Sequence, residues 1–226
     1  MKALKIYAVL FSLVFVVVAC ESGGDQAQTE PSAEARMSSA DKETHSGTAT
    51  VSEPAPDFTL TSTAGETHSL SDFSGKYVIL EWINFDCPFV KKHYRSGNMQ
   101  EIQRKYREEG AVWLTICSSA PGKQGYFEGQ ALDDRIEKEN WMGDAYLLDS
   151  DGKVGKMYAA KTTPHMYIID PDGVLLYAGA IDDTPSTKQE DIPESTNYVV
   201  EAMTAEMAGE NIEPSYTKAY GCSVKY

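Results

Sequence analysis

The feature that most limits the fold is the run Tyr77-Val78-Ile79-Leu80-Glu81-Trp82-Ile83-Asn84, followed closely by Cys87-Pro88. It holds one charged residue and is rich in β-branched and aromatic side chains, which predicts a strand. Apolar residues run on without alternating with polar ones. Such a strand needs cover on both faces, as the centre of a sheet layered between helices has. Ala111–Cys117 (AVWLTIC) and His165–Asp170 (HMYIID) have the same character.

The segments between these runs set the connections. Val90–Glu109 is charged and helix-compatible, with Gly97 marking a kink or a break. Ala131–Trp141 predicts a helix, Ala145–Leu148 a short strand and Val154–Ala160 a short helix. Phe58–Leu60 and Thr67–Leu70, set around Ala64-Gly65, predict an N-terminal hairpin. Pro171-Asp172-Gly173 is a tight turn that returns Val174–Gly179 antiparallel to the third run. Thr196–Ala208 places Val199, Ala202, Met203 and Met207 on one helical face, and Gly209 is placed to end it. Asp182–Asp191 reads as a polar excursion and Glu210–Tyr226 as a tail. Strands joined through helices need crossovers and run parallel, while the hairpin adds an antiparallel edge. The expected class is α/β, a central mixed sheet flanked by helices, with an N-terminal β-hairpin and a C-terminal helical extension.

The first residues read differently. Lys2 and Lys5 precede an apolar stretch, Ile6–Ala19, shorter than the roughly 20 residues a spanning helix needs, so residues 1–19 read as a signal peptide. Val17-Val18-Ala19-Cys20 resembles a bacterial lipobox, which would make Cys20 the lipidated mature N-terminus and the membrane anchor. Residues 20–50 carry almost no large apolar side chain and form the expected flexible linker, with a reach of about 30 Å. His45 lies there as a lone histidine, with no cysteine or second histidine close in sequence. The expected domains are residues 51–185, carrying the sheet, and 186–226, the C-terminal helix and a cysteine-containing tail. The expected location is the bacterial cell envelope, facing the periplasm or the exterior.

A net charge of −14 argues against nucleic acid, whose phosphates need Lys and Arg. There are four cysteines. With Cys20 taken by lipid, Cys87, Cys117 and Cys222 remain. An odd number leaves at least one thiol free or paired outside the chain, and an exported compartment permits disulfides.

Cys87 lies past the carboxyl end of the central strand, where open α/β sheets gather reactive groups. It also lies at the start of a helix, whose free N–H groups favour a thiolate. Pro88 suits the first helical turn, and Lys91, Lys92 and His93 add positive charge. The alternative is a buried structural cysteine. Thr163-Pro164 precedes the third strand, as a cis-proline turn or an ordinary trans one.

Together, Ala55-Pro56-Asp57-Phe58, the strand 77–84, Asp86-Cys87-Pro88-Phe89-Val90, Thr163-Pro164 and Ile168–Gly173 resemble the redoxins. That family includes the alkyl hydroperoxide reductase/thiol-specific antioxidant proteins and the membrane-tethered thiol-disulfide oxidoreductases. The resemblance implies a thioredoxin-like fold in which Thr163 and Pro164, as a cis-proline loop, flank a reactive Cys87. It implies a thiol-based oxidoreductase acting on protein or small-molecule disulfides, or on peroxides, with a thiol reductant as electron source and no cofactor or resident metal. Two departures stand out. Val90 occupies the place of the second cysteine of a Cys-x-x-Cys motif. Asn84 stands where a peroxidase carries a hydroxyl.

A resolving thiol then comes from elsewhere. Cys222, preceded by Gly221, is the candidate, against the alternative of a plain tail thiol. Cys117 ends the second strand and reads as a small buried hydrophobe, or as a thiol approaching Cys87. His93 reads as a surface histidine, the alternatives being a base for Cys87 or a copper ligand. His165 faces the thiol or points away. Trp82, Phe85 and Phe89 are expected around the site. The other function class is a non-catalytic binding module or copper chaperone on the same fold.

Overall fold

The computed structural model describes residues 48–226. The signal-like segment, Cys20, His45 and all but the last residues of the expected linker lie outside the described residues.

The elements appear in the expected order. A hairpin of β1 (Thr59–Ser62) and β2 (Thr67–Ser69) is followed by β3 (Val78–Trp82), α1 (Pro88–Arg95), α2 (Asn98–Glu108) and β4 (Val112–Cys117). Then come α3 (Gly129–Lys138), β5 (Ala145–Leu148), α4 (Lys153–Met157), β6 (Thr162–Thr163), β7 (His165–Ile169), β8 (Leu175–Gly179), α5 (Tyr198–Met207) and β9 (Cys222–Ser223). Seven strands form one sheet in the order β2-β1-β5-β4-β3-β7-β8. β3, β4 and β5 are mutually parallel, while β7 runs antiparallel beside β3 and β8 antiparallel beside β7. This is the thioredoxin-like arrangement, with β3 near the centre and every residue of it buried.

Strand alternation divides the interior in two. Ile79, Trp113, Met166 and Ile168 face a cluster built with Val90, Tyr94, Met99, Ile102, Leu132 and Val199, so α1, α2, α3 and α5 cover that face. Val78, Leu80, Trp82, Leu114 and Tyr167 face the opposite cluster with Phe58, Val154 and Tyr158. Each fully buried large side chain contributes on the order of 1.5–3 kcal/mol. The buried carboxylate of β3 is met inside the protein. Glu81 is wholly buried and accepts from Tyr94 Oη (2.9 Å), Gln103 Nε2 (2.9 Å), Trp113 Nε1 (2.7 Å) and Thr115 Oγ1 (3.1 Å).

The differences from the sequence expectation are local. The predicted helix 90–109 is two helices, because Gly97 adopts φ +81° and starts α2 afresh. The packed body begins before Val51, since Ala49 N–H donates to Met157 O at 3.0 Å. The C-terminal extension is part of the body: α5 buries Val199, Ala202 and Met203. The tail is tied down by Thr217 N–H to Ala178 O (3.1 Å) and Val224 N–H to Lys161 O (3.0 Å). Its β9 pairs with β6 in a separate two-stranded sheet.

Candidate active site

The chain leaves β3 at Trp82 and turns sharply into α1. Cys87 N–H donates to Asn84 O (2.9 Å), and Asp86 N–H donates to Asn84 Oδ1 (2.8 Å). Arg135 of α3 holds the turn from outside, bonding Asp86 Oδ1 (2.9 Å) and Phe85 O (2.7 Å). The turn leaves Cys87 as the residue that caps α1, with Pro88 at the first helical position. Its side chain is completely buried in the cluster that holds Ile83, Phe85 and Val90.

Two distant segments close over the sulfur. The first is β6, which ends at Thr163 before a cis peptide bond to Pro164. The Cys87 thiol donates to Thr163 O at 3.1 Å. The second is β9, whose Cys222 lies directly opposite Thr163 in the antiparallel pair. This approach depends on Gly221, because a Cβ at that position would lie 2.0 Å from Thr163 O.

These neighbours determine the charge on the sulfur. Burial opposes ionisation of Cys87. Against it, the Cys222 thiol, the Thr163 side chain and the amides of Val90 and Cys222 all favour the thiolate. The balance holds Cys87 below the ordinary thiol range. For Cys222, burial and the Cys87 sulfur push its pKa up to about 12. The two thiols are therefore unequal: one is prepared to be an anion and the other to donate a proton to it.

The remaining residues singled out by sequence fall into different places. Asn84 is buried, and its Nδ2 donates to Gln124 O (3.1 Å). With both ends of the amide engaged, it anchors the 120–126 loop instead of offering a donor beside the sulfur. Trp82 belongs to the opposite face of the sheet, bonding Ser118 Oγ (3.0 Å) and packing on Tyr158 and Tyr167. The alternation of β3 puts it there, so it does not surround Cys87. Phe85 and Phe89 do lie on the Cys87 side. Cys117 is buried there too, its thiol donating to Gly125 O at 3.5 Å, as a small core residue. His165 bonds Tyr167 Oη (3.0 Å) instead of the sulfur, and burial and Lys161 lower its pKa to about 4.

His93 is not on the surface. It is fully buried, with Nδ1 2.9 Å from Asn98 Nδ2 and Nε2 3.7 Å from Asp182. The helix stripe that faces the body takes in positions 90, 93 and 94 together. Burial is the main reason its pKa falls to about 4, with Asp182 acting upward and Lys92 downward. Lys92 is buried as well, its ammonium bonded to Asp182 Oδ2 (3.0 Å) and Thr184 O (3.0 Å). Of the three cations expected to polarise the site, it is therefore already paired. Asp182, Tyr220 and Arg135 had no motif to mark them: each acts through a partner far away in sequence. Among the described residues, no group of three or more His, Cys, Asp or Glu is placed to hold a metal ion.

The AhpC/TSA family model matches residues 51–178. The thiol-disulfide oxidoreductase ResA of Bacillus thuringiensis subsp. konkukian (strain 97-27) is 25% identical over 126 residues, 56% of this chain and 67% of that protein. An uncharacterised conserved protein from Geobacillus kaustophilus superposes with a TM-score of 0.65 at 25% identity, over 78% of this chain and 92% of that one. A hypothetical protein from Sinorhizobium meliloti 1021 gives 0.62 at 22% identity, over 80% and 96%.

Proposed function

The chain belongs to the AhpC/TSA family, and from that premise we propose that it is a thiol-dependent oxidoreductase whose reaction runs through Cys87, with Cys222 as the resolving thiol. The observation that carries this reading is the convergence on one buried sulfur of a helix N-terminus, the cis-proline turn and a second thiol. The Cys87 thiolate attacks one sulfur of a substrate disulfide and expels the other as a thiolate, leaving a mixed disulfide. Cys222, having lost its proton, attacks the Cys87 sulfur, releases the second substrate thiolate and closes a Cys87–Cys222 disulfide. An external thiol reductant restores both thiols.

Disulfide exchange is favoured over peroxide reduction. A hydroperoxide needs a donor to orient its oxygens beside the thiolate, and the amide of Asn84 is already committed to Gln124 and Asp86. The similarity to a thiol-disulfide oxidoreductase supports the same choice. Protein disulfides or thiols are then the partners. The apolar leader and Cys20 in the sequence support a reaction at the cell envelope, on a lipid tether. No helix among the described residues is long and apolar enough to cross a membrane.

The test is turnover of a disulfide substrate and of hydrogen peroxide by purified protein, with Cys87→Ser beside the wild type. Disulfide turnover is expected in the wild type alone, and peroxide consumption in neither. Equal disulfide turnover by Cys87→Ser removes the proposal.

A further inference from the structure

Asp182 lies in the segment after β8 and is 3% exposed. Its Oδ2 accepts from Lys92 Nζ, and its Oδ1 accepts from Thr184 N–H at 3.0 Å and from the hydroxyl of Tyr220. His93 Nε2 lies 3.7 Å away. Lys92 belongs to α1, the helix that begins at Cys87, and Tyr220 sits two residues before Cys222. One carboxylate therefore joins the element carrying the first thiol to the strand carrying the second. The Tyr220 ring also packs edge-on against Phe89 of α1, with centroids 5.7 Å apart.

Backbone hydrogen bonds and ring contact already hold the tail down. Burying an ammonium and a carboxylate costs desolvation, which their attraction offsets only when the geometry is good and the remaining valences are satisfied. Such a cluster contributes direction more than adhesion: a hydroxyl bonded to a fixed carboxylate has one position, whereas a ring on a ring can slide. Direction matters here because a thiolate attacks a sulfur along a narrow line, and small misplacements are costly to rate.

We propose that Asp182 is a positioning residue for the thiol pair: by holding Tyr220 at a fixed distance from α1, it aligns Cys222 with the Cys87 sulfur and so sets how readily their disulfide closes. The inference rests on Cys222 being the resolving thiol. With glutathione disulfide as oxidant, Cys87 thiolate displaces one glutathione thiolate and forms a mixed disulfide. Cys222 gives its proton to solvent, attacks the Cys87 sulfur and displaces the second. Two protein thiols become one disulfide, and one glutathione disulfide becomes two glutathione molecules.

The experiment equilibrates full-length protein with mixtures of reduced and oxidised glutathione, quenches with acid and quantifies the disulfide by mass, giving an effective molarity for Cys222 at Cys87. Tyr220→Phe keeps the ring on Phe89 and removes only the hydroxyl. Asp182→Asn keeps the shape and removes the charge. Thermal unfolding of each reduced variant is followed alongside, since a merely structural role would lower the midpoint and leave the effective molarity alone. The expected result is an effective molarity about ten-fold or more below wild type in either variant that folds, following from the loss of a hydrogen bond to a charged group. Tyr77→Phe, which removes a hydroxyl bonded to Glu206 on α5, should match the wild type. Unchanged effective molarity in a folded Tyr220→Phe or Asp182→Asn overturns the positioning role. A wild type that forms no Cys87–Cys222 disulfide at any ratio overturns the resolving role itself.

Discussion

Replacing His93 by glutamine should flatten the acid side of the protein's stability profile by an amount that follows from its burial. The imidazole is fully buried, between Asn98 on one side and Asp182 and Lys92 on the other, and its pKa falls to about 4. In the unfolded chain it returns to about 6.5. Between those values the unfolded state binds a proton that the folded state refuses. Folding stability therefore decreases as the pH falls through this window. Integrating from pH 7 to pH 5 gives a loss of about 2 kcal/mol from this one group. Glutamine cannot titrate. Whatever it costs in packing at pH 7, the variant should lose about 2 kcal/mol less than the wild type on going to pH 5. Glu81 and Asp149, whose pKa values burial raises, act in the opposite sense, but equally in both proteins, and cancel in the comparison. Urea unfolding at the two pH values, followed by tryptophan fluorescence, supplies the four stabilities required. Parallel profiles for wild type and His93→Gln would show that the ring is not kept neutral by its surroundings, and the account of the buried cluster would have to be rebuilt.

Two further outcomes concern the sulfur. Cys222→Ala deletes a donor to the Cys87 thiolate without disturbing the β6–β9 backbone pairing, so the Cys87 pKa should rise, while Cys222→Ser restores a donor and should keep it low; the pH dependence of alkylation reads both, and a shared midpoint refutes the role of that contact. Gly221→Ala forces a Cβ to within 2.0 Å of Thr163 O at a residue with φ +134°. Backbone strain on the order of 1–3 kcal/mol would reduce docking of the tail about 5- to 150-fold. A bulky maleimide should then reach Cys87 faster than in the wild type, where the sulfur is covered; an equal rate counts against the tail as its cover.

The sheet and the position of Cys87 were legible because they rest on local signals: unbroken apolar runs, a proline after a cysteine, and a Pro-Asp-Gly turn. The thiolate-favouring helix start follows from residues 84–88 alone. What escaped depends on partners far away along the chain. Lys92 and His93 look like surface residues in a charged helix, yet both are buried, and the carboxylate they face, Asp182, lies about ninety positions later. Closeness in sequence puts Trp82 beside Cys87, yet strand alternation sends it to the other face. The strands β6 and β9 are two residues each, too short to leave a periodic signature, and they pair only because the tail returns to the cis-proline turn. Cys222 could be suspected from the glycine before it, but its distance from Cys87 in space was not written in either segment.

The two-stranded ribbon of β6 and β9 shares no rung with the seven-stranded sheet. In the proposed reaction, electrons would enter and leave the protein without disturbing the ladder that holds it up. The dithiol and disulfide forms would keep the same chassis and differ mainly in one flap. That arrangement suits the proposed reaction, in which the protein presents two faces to two successive partners on one unchanging body.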